Sequence, residues 1–328
     1  MTSIGTQDWG IALHRREYSR SVLAFVVVAL ASLLAPEIGF AEPGQTVESD
    51  VLAPAAAAAE LKIAGDPSPG GGVSGAIAQA PNPANPALVG LMIEIGRRWT
   101  YVFKSERTST VAGGEPEVEK LHGTRVDEIT GLAPELGEGV VRMLSSSRGR
   151  SASSPNELNE VRAGFYRAAG ASLQLVAEQA SDPTAGLAPL VQYEAPLSVL
   201  EAAATPGQRW SVGVRSERDL HTSLEGEVLG VQDVQTPYGL FERCLVIRLT
   251  GQISGVIEAY GSRMEVPSGD FSVTQWYAPG VGLVLAKEEI SQTLVLEDGK
   301  SMDYSERSQF ALRSTESTTA AAPASGER

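Results

Sequence analysis

Arg98-Trp99-Thr100-Tyr101-Val102-Phe103-Lys104 is the stretch that decides the fold. Its large side chains Trp99, Tyr101 and Phe103 recur at every second position, with Thr100 and Val102 between them. An extended backbone sends successive side chains to opposite faces, so this period belongs to a strand with one buried face.

The same period runs outward along the chain. In Arg209–Arg215, Trp210, Val212 and Val214 alternate with Ser211 and Gly213. In Phe241–Leu249, Phe241, Leu245, Ile247 and Leu249 share one face. Arg243 interrupts that face and must reach its edge or find a partner. Further strand candidates are 138–145, 161–167, 172–178, 223–234, 253–260, 271–277, 281–296 and 302–312. Asp298-Gly299 between two alternating runs is a hairpin signal. Pro237 to Gly239, Pro267 to Gly269 and Pro279-Gly280 read as turns. Short turns between neighbouring strands build antiparallel meanders, not βαβ units. Helix is confined to one short candidate, Leu197–Ala204, ending at Pro206-Gly207. The expectation is a mainly β domain: a strongly curved antiparallel sheet with little helix.

The flanks read differently. His14 to Arg20 is basic, Ser21 to Ala35 is apolar, Pro36 breaks the run, and Gly39 to Ala41 offers small residues for a signal peptidase. Residues 1–41 are therefore expected to be a signal peptide, by the general or the twin-arginine route (Arg15-Arg16). The apolar run falls short of the ~20 residues a bilayer span needs. Residues 42–87 are rich in Ala, Pro and Gly and predict a disordered linker. The β-rich domain is placed at 88–314 and a disordered tail at 315–328. The mature chain is expected in the periplasm or outside the cell, with no transmembrane span after cleavage.

The chain of 328 residues carries a formal net charge of −14. The leader holds as many acidic as basic residues, so cleavage leaves that balance in place. An acidic surface repels phosphate backbones, which argues against nucleic acid. The lone cysteine, Cys244, permits no intramolecular disulfide and reads as a buried, inert thiol.

One internal similarity stands out. Gly96, Arg98, Trp99, Ser105, Glu106 and Arg107 recur at equal offsets as Gly207, Arg209, Trp210, Ser216, Glu217 and Arg218. It predicts two related halves, about 88–195 and 196–314.

No catalytic motif is found. Outside the leader, His122 and His221 lie in polar stretches with no further ligand at metal-site spacing. No Gly-x-Ser-x-Gly elbow occurs, and no cofactor signature does. A carboxylate pair meets only in three dimensions and stays open. The expectation is a non-catalytic protein with no metal and no cofactor. Trp99, Tyr101, Phe103, Trp210 and Trp276 are the candidate apolar ligand face: on a curved sheet they either fill the core or line an open cavity.

Four segments carry a family resemblance. They are the two Gly-x-x-Trp strand openings (Gly96–Trp99 and Gly207–Trp210), Thr236 to Ile247 with its Pro/Gly turn and Cys244, and Trp276-Tyr277-Ala278-Pro279-Gly280-Val281-Gly282-Leu283-Val284. Together they resemble a loose group of secreted bacterial proteins of unknown function, similar to the half-barrel of LolA-type periplasmic lipoprotein carriers. The resemblance covers roughly 90–312. It implies a curved sheet around an apolar cavity and carriage of a lipid or other hydrophobic ligand. It supplies no catalytic residues, and the chain lacks a lipobox. The alternative is a cell-envelope structural or protein-interaction module with a closed core. Cavity volume separates the two.

Overall fold

A computed structural model of the chain describes residues 86–151, 157–182, 186–187, 190–217, 219–259 and 262–317. The expected leader, almost all of the expected linker and residues 318–328 lie outside the described residues.

Among the described residues, a short helix, α1 (Pro86–Leu91), precedes thirteen strands. These are β1 (Arg97–Val111), β2 (Glu117–Leu132), β3 (Val141–Ser151), β4 (Glu157–Ala169), β5 (Ser172–Asp182), β6 (Gly186–Leu187), β7 (Val191–Glu201), β8 (Arg209–Glu217), β9 (Leu220–Thr236), β10 (Gly239–Ala259), β11 (Ser262–Ala278), β12 (Gly282–Val295) and β13 (Ser301–Ser317). A 3₁₀ turn, Pro134–Leu136, lies between β2 and β3.

Every ladder is antiparallel. β1 to β5 form one meander and β8 to β13 another. The two join where β1 pairs with β13, from Arg97 opposite Ser317 to Val111 opposite Met302. β7 returns along β5, and β8 lies beside β7. The sheet thus curls past a half-barrel into a nearly closed barrel. Closure hides strand edges that would otherwise invite aggregation.

Alternation decides what faces inward. Trp99, Tyr101, Phe103, Ser105, Arg107 and Ser109 of β1 are all buried, while the residues between them are not. Facing β1 on β13, Met302, Tyr304, Glu306, Ser308 and Phe310 continue the inner wall.

Part of the outer wall is covered too. Val102, Ala311, Leu285, Trp276 and Val246 occupy paired positions on β1, β13, β12, β11 and β10 and form one apolar row. The β9–β10 hairpin outruns β8 and folds over this row as an arm. Its tip donates Tyr238 N–H to Leu312 O at 3.1 Å, and Gln232 Oε1 accepts from the Trp276 indole at 3.0 Å. The arm bends at a bulge where Arg243 takes a φ of 54° and gives its N–H to Asp233 Oδ1 at 2.8 Å. Arg243 thus leaves the apolar face, and its side chain is exposed.

Four details correct the sequence expectations. Leu197–Ala204 is not helical: Leu197 and Leu200 pair with Leu175 and Leu173 as the edge of β5 becomes available. Pro267 to Gly269 is a bulge inside β11 rather than a turn, because a bulge accommodates a residue with no N–H. The candidates 241–249 and 253–260 fall, as far as Ala259, on one strand, β10. β13 runs to Ser317, so residues 315–317 pair with β1.

The two Gly-x-x-Trp copies adopt one local geometry. Gly96 and Gly207 both have φ of 84°. Their N–H groups donate to Ile129 O on β2 at 2.8 Å and Val228 O on β9 at 2.7 Å, in each case the hairpin partner of the strand that the glycine opens. Each tryptophan then gives its indole N–H to a main-chain carbonyl: Trp99 to Val281 at 2.7 Å, Trp210 to Ser198 at 2.8 Å.

Candidate functional site in the barrel lumen

The lumen has an apolar end and a charged belt. At the apolar end, Trp99 and Tyr101 are tied across the barrel end to Val281 O and Leu283 O, the latter at 3.1 Å from the Tyr101 hydroxyl. They line a cavity of about 40 Å³ together with Met92, Tyr166, Leu249 and Leu283. Leu88 and Val89 of α1 are buried in the same apolar cluster, so the helix and Met92 cover this end. Phe103 lies one layer deeper, against Phe310 at a ring separation of 5.8 Å. The Arg125 guanidinium stands 5.4 Å from the Phe310 ring and begins the belt.

Four arginines of the belt each have a carboxylate. Arg107 pairs with Glu306 at 3.2 Å, Arg125 with Asp127 at 2.7 Å, Arg162 with Glu160 at 2.8 Å and Arg215 with Glu178 at 2.5 Å. Buried charges persist only when paired and hydrogen-bonded. Glu306 illustrates this, accepting from Ser105 at 2.7 Å, Ser308 at 2.8 Å and Tyr304 at 2.8 Å. Burial pushes its pKa up, but Arg107 and the three hydroxyls outweigh that and hold it below the ordinary carboxylate range.

Glu288 is the exception. It is 2 % exposed, and neither carboxyl oxygen has a hydrogen-bond partner. Burial is the main cause that pushes its pKa to about 8; Arg125 and Arg162 pull down while Glu306 pushes up. Its carboxyl is therefore protonated at neutral pH. Gln292, on the same face of β12, is 3 % exposed and likewise has both amide atoms without a partner.

A protonated Glu288 near an ionised Glu306 has the split protonation that acid–base chemistry uses. Both are enclosed, and neither lines the cavity. Their arrangement stores a cost in the fold and makes stability sensitive to pH. Cys244 is buried, and burial raises its thiol to about 11, which keeps it unreactive.

Of the five residues read as an apolar face, the fold brings Trp99 and Tyr101 together at the cavity and sets Phe103 behind them. Trp210 sits half-buried where β7 meets β8. Trp276 lies on the outer wall, between the arm and Lys287, whose Nζ is 5.9 Å from the ring. Gln275 and Tyr277, its neighbours, line the cavity, so alternation turns Trp276 outward.

No protein-family model and no curated protein matches this chain. Among solved structures, a candidate exported protein with a YmcC-like fold from Bacteroides fragilis is similar at 12% identity and a TM-score of 0.29, covering 68% of this chain and 96% of that one. A candidate lipoprotein from Parabacteroides distasonis gives 11% and 0.28, with 68% and 96% covered. An S-type phycobiliprotein lyase from Guillardia theta gives 10% and 0.27, with 69% and 92% covered. Likeness of this degree leaves the site to be read from its own residues.

The belt was missed in the sequence. Its signal was present: Ser105, Arg107 and Ser109 continue the inward phase set by Trp99, Tyr101 and Phe103. A charge in an inward phase points to a buried partner.

Proposed function

We propose that this chain is an exported, non-catalytic β-barrel that serves the cell envelope as a structural or protein-interaction module with a closed core. One observation carries the reading: the cavity that the described residues enclose at the apolar end of the lumen holds about 40 Å³, against the roughly 300–1,000 Å³ of a ligand pocket. At roughly 10–15 Å³ per water, that is space for about three waters. Paired charges occupy the belt beyond. Export rests on the leader-like residues 1–41, and the twin Gly-x-x-Trp geometry supports a barrel of two related halves.

A second reading, carriage of a small apolar or lipid-like ligand, is favoured by the lining of that same cavity. Trp99, Tyr101, Met92 and Leu249 present apolar surface, with the hydroxyls of Tyr101 and Tyr277 among them. An acyl chain would require α1 and Met92 to move aside.

Native mass spectrometry of the protein recovered from the periplasm tests both. The first reading expects the chain cleaved after Ala41 and carrying no adduct. A lipid retained in one-to-one ratio would replace it with the second.

A further inference from the structure

Among the described residues, the barrel wall is joined by backbone ladders at every neighbouring pair of long strands except one. β7 and β8 lie side by side, yet no ladder joins them among the described residues. Side chains bridge the gap. The Trp210 indole on β8 donates to Ser198 O on β7 at 2.8 Å. Arg215 on β8 reaches Tyr193 Oη on β7 at 3.1 Å and Glu178 on β5 at 2.6 Å. Tyr193 also donates to Glu178 at 2.5 Å. Leu197 of β7 packs so close to Gly213 of β8 that a Cβ there would lie 2.7 Å from Leu197 Cδ2.

β7 is also loosely held on its other side. It pairs with β5 at Val191 and Gln192, and again from Leu197 onward. Residues 193–196 between these points are off the ladder, and Pro196 has no N–H to give.

We propose that the barrel opens laterally at this seam, β7 and β8 parting so that lumen side chains meet solvent while the other ladders hold. Parting these strands breaks no ladder hydrogen bond. Parting β1 from β13 would break a register of fifteen paired positions. Arg215 and Glu178 regain hydration on opening, which offsets part of the lost ion pair. The apolar surface of Leu197 and Val212, both buried, favours the closed form and makes it the resting state. The inference goes beyond the module reading and holds whatever the lumen contains, because it concerns how the wall gives way.

Native-state cysteine labelling tests it. In full-length protein carrying Cys244→Ala, single cysteines replace Leu197 or Val212 at the seam, or Ile290 on the wall formed by β12. A maleimide should modify positions 197 and 212 at least tenfold faster than 290. Arg215→Met should speed the first two and leave the third unchanged. Val212→Cys removes less volume and keeps the test readable if Leu197→Cys does not fold. Equal rates at all three positions, tracking global unfolding, would overturn the proposal.

Discussion

Glu288 pairs across the β12–β13 ladder with Ser308, and Ser308 donates to Glu306 at 2.8 Å, so a protonated carboxyl and an ionised one face the lumen from adjacent strands. The first has no hydrogen-bond partner and the second has three hydroxyl donors. Burial acts on both, and the partners decide the outcome.

The pH dependence of stability follows from Glu288. Its folded-state pKa is about 8 against an ordinary 4.5. Between these values the unfolded chain has lost the proton that the folded chain keeps. Stability contributed by this group is intact below pH 4.5, falls as pH rises towards 8, and is level above. Glu288→Gln keeps the shape and removes the proton. At pH 8.5 the variant should gain on the order of 3–5 kcal/mol over the parent, since each tenfold change in proton affinity is worth about 1.4 kcal/mol. At pH 4.5 it should gain almost nothing. Urea denaturation at the two pH values measures the difference; a gain independent of pH would refute the assignment.

Glu306→Ala should be far more damaging than a surface change. It strips Arg107 of its closest carboxylate and leaves three buried hydroxyls without their acceptor. Losing one partner of a buried pair costs about 3–5 kcal/mol. Glu289→Ala, on the neighbouring outward position with its side chain 69% exposed, should stay within about 0.5 kcal/mol. Arg107→Met with Glu306→Leu should recover much of the loss, since removing both charges leaves neither stranded. Thermal unfolding of the four proteins ranks them.

The arm gives a local prediction. Trp276→Ala empties the space between the outer apolar row and the β9–β10 hairpin, at a cost of about 3–5 kcal/mol. Trp276→Phe loses chiefly the indole bond to Gln232, about 1 kcal/mol. Hydrogen exchange should rise in residues 231–241 in both variants and stay low in the centre of β1. Uniform loss of protection would mean that the arm is not a separate cover.

Much of this architecture was legible because inward and outward positions alternate along Trp99–Phe103 and its counterparts. The antiparallel meanders follow from that phase and from turns such as Asp298-Gly299, where Gly299 takes a φ of 79°. Closure was not legible. It depends on β7 taking the free edge of β5 and meeting β8, a relation between residues distant in sequence. The site was half legible for the same reason. Trp99 and Tyr101 share a phase on one strand and reach one cavity. Trp276 was grouped with them by residue type, although the phase of Gln275 and Tyr277 turns it outward. Glu288 and Glu306 were passed over because single charges in a strand pattern look like surface until both neighbouring strands are known.

The paired glycines allow the two halves to be compared directly. Gly207 has φ of 84° and open space around the position of a Cβ. Gly207→Ala therefore meets no steric neighbour, and its cost is that of holding an L-residue in the left-handed region, about 1–2 kcal/mol. Gly207→Asn should cost less, because Asn tolerates that region. Gly96 shares the φ and the same bond to the next strand, so Gly96→Ala and Gly96→Asn should fall in the same order. Denaturant midpoints of the four variants check this. Asn no better than Ala at either position would show that something other than backbone conformation holds the Gly-x-x-Trp turn.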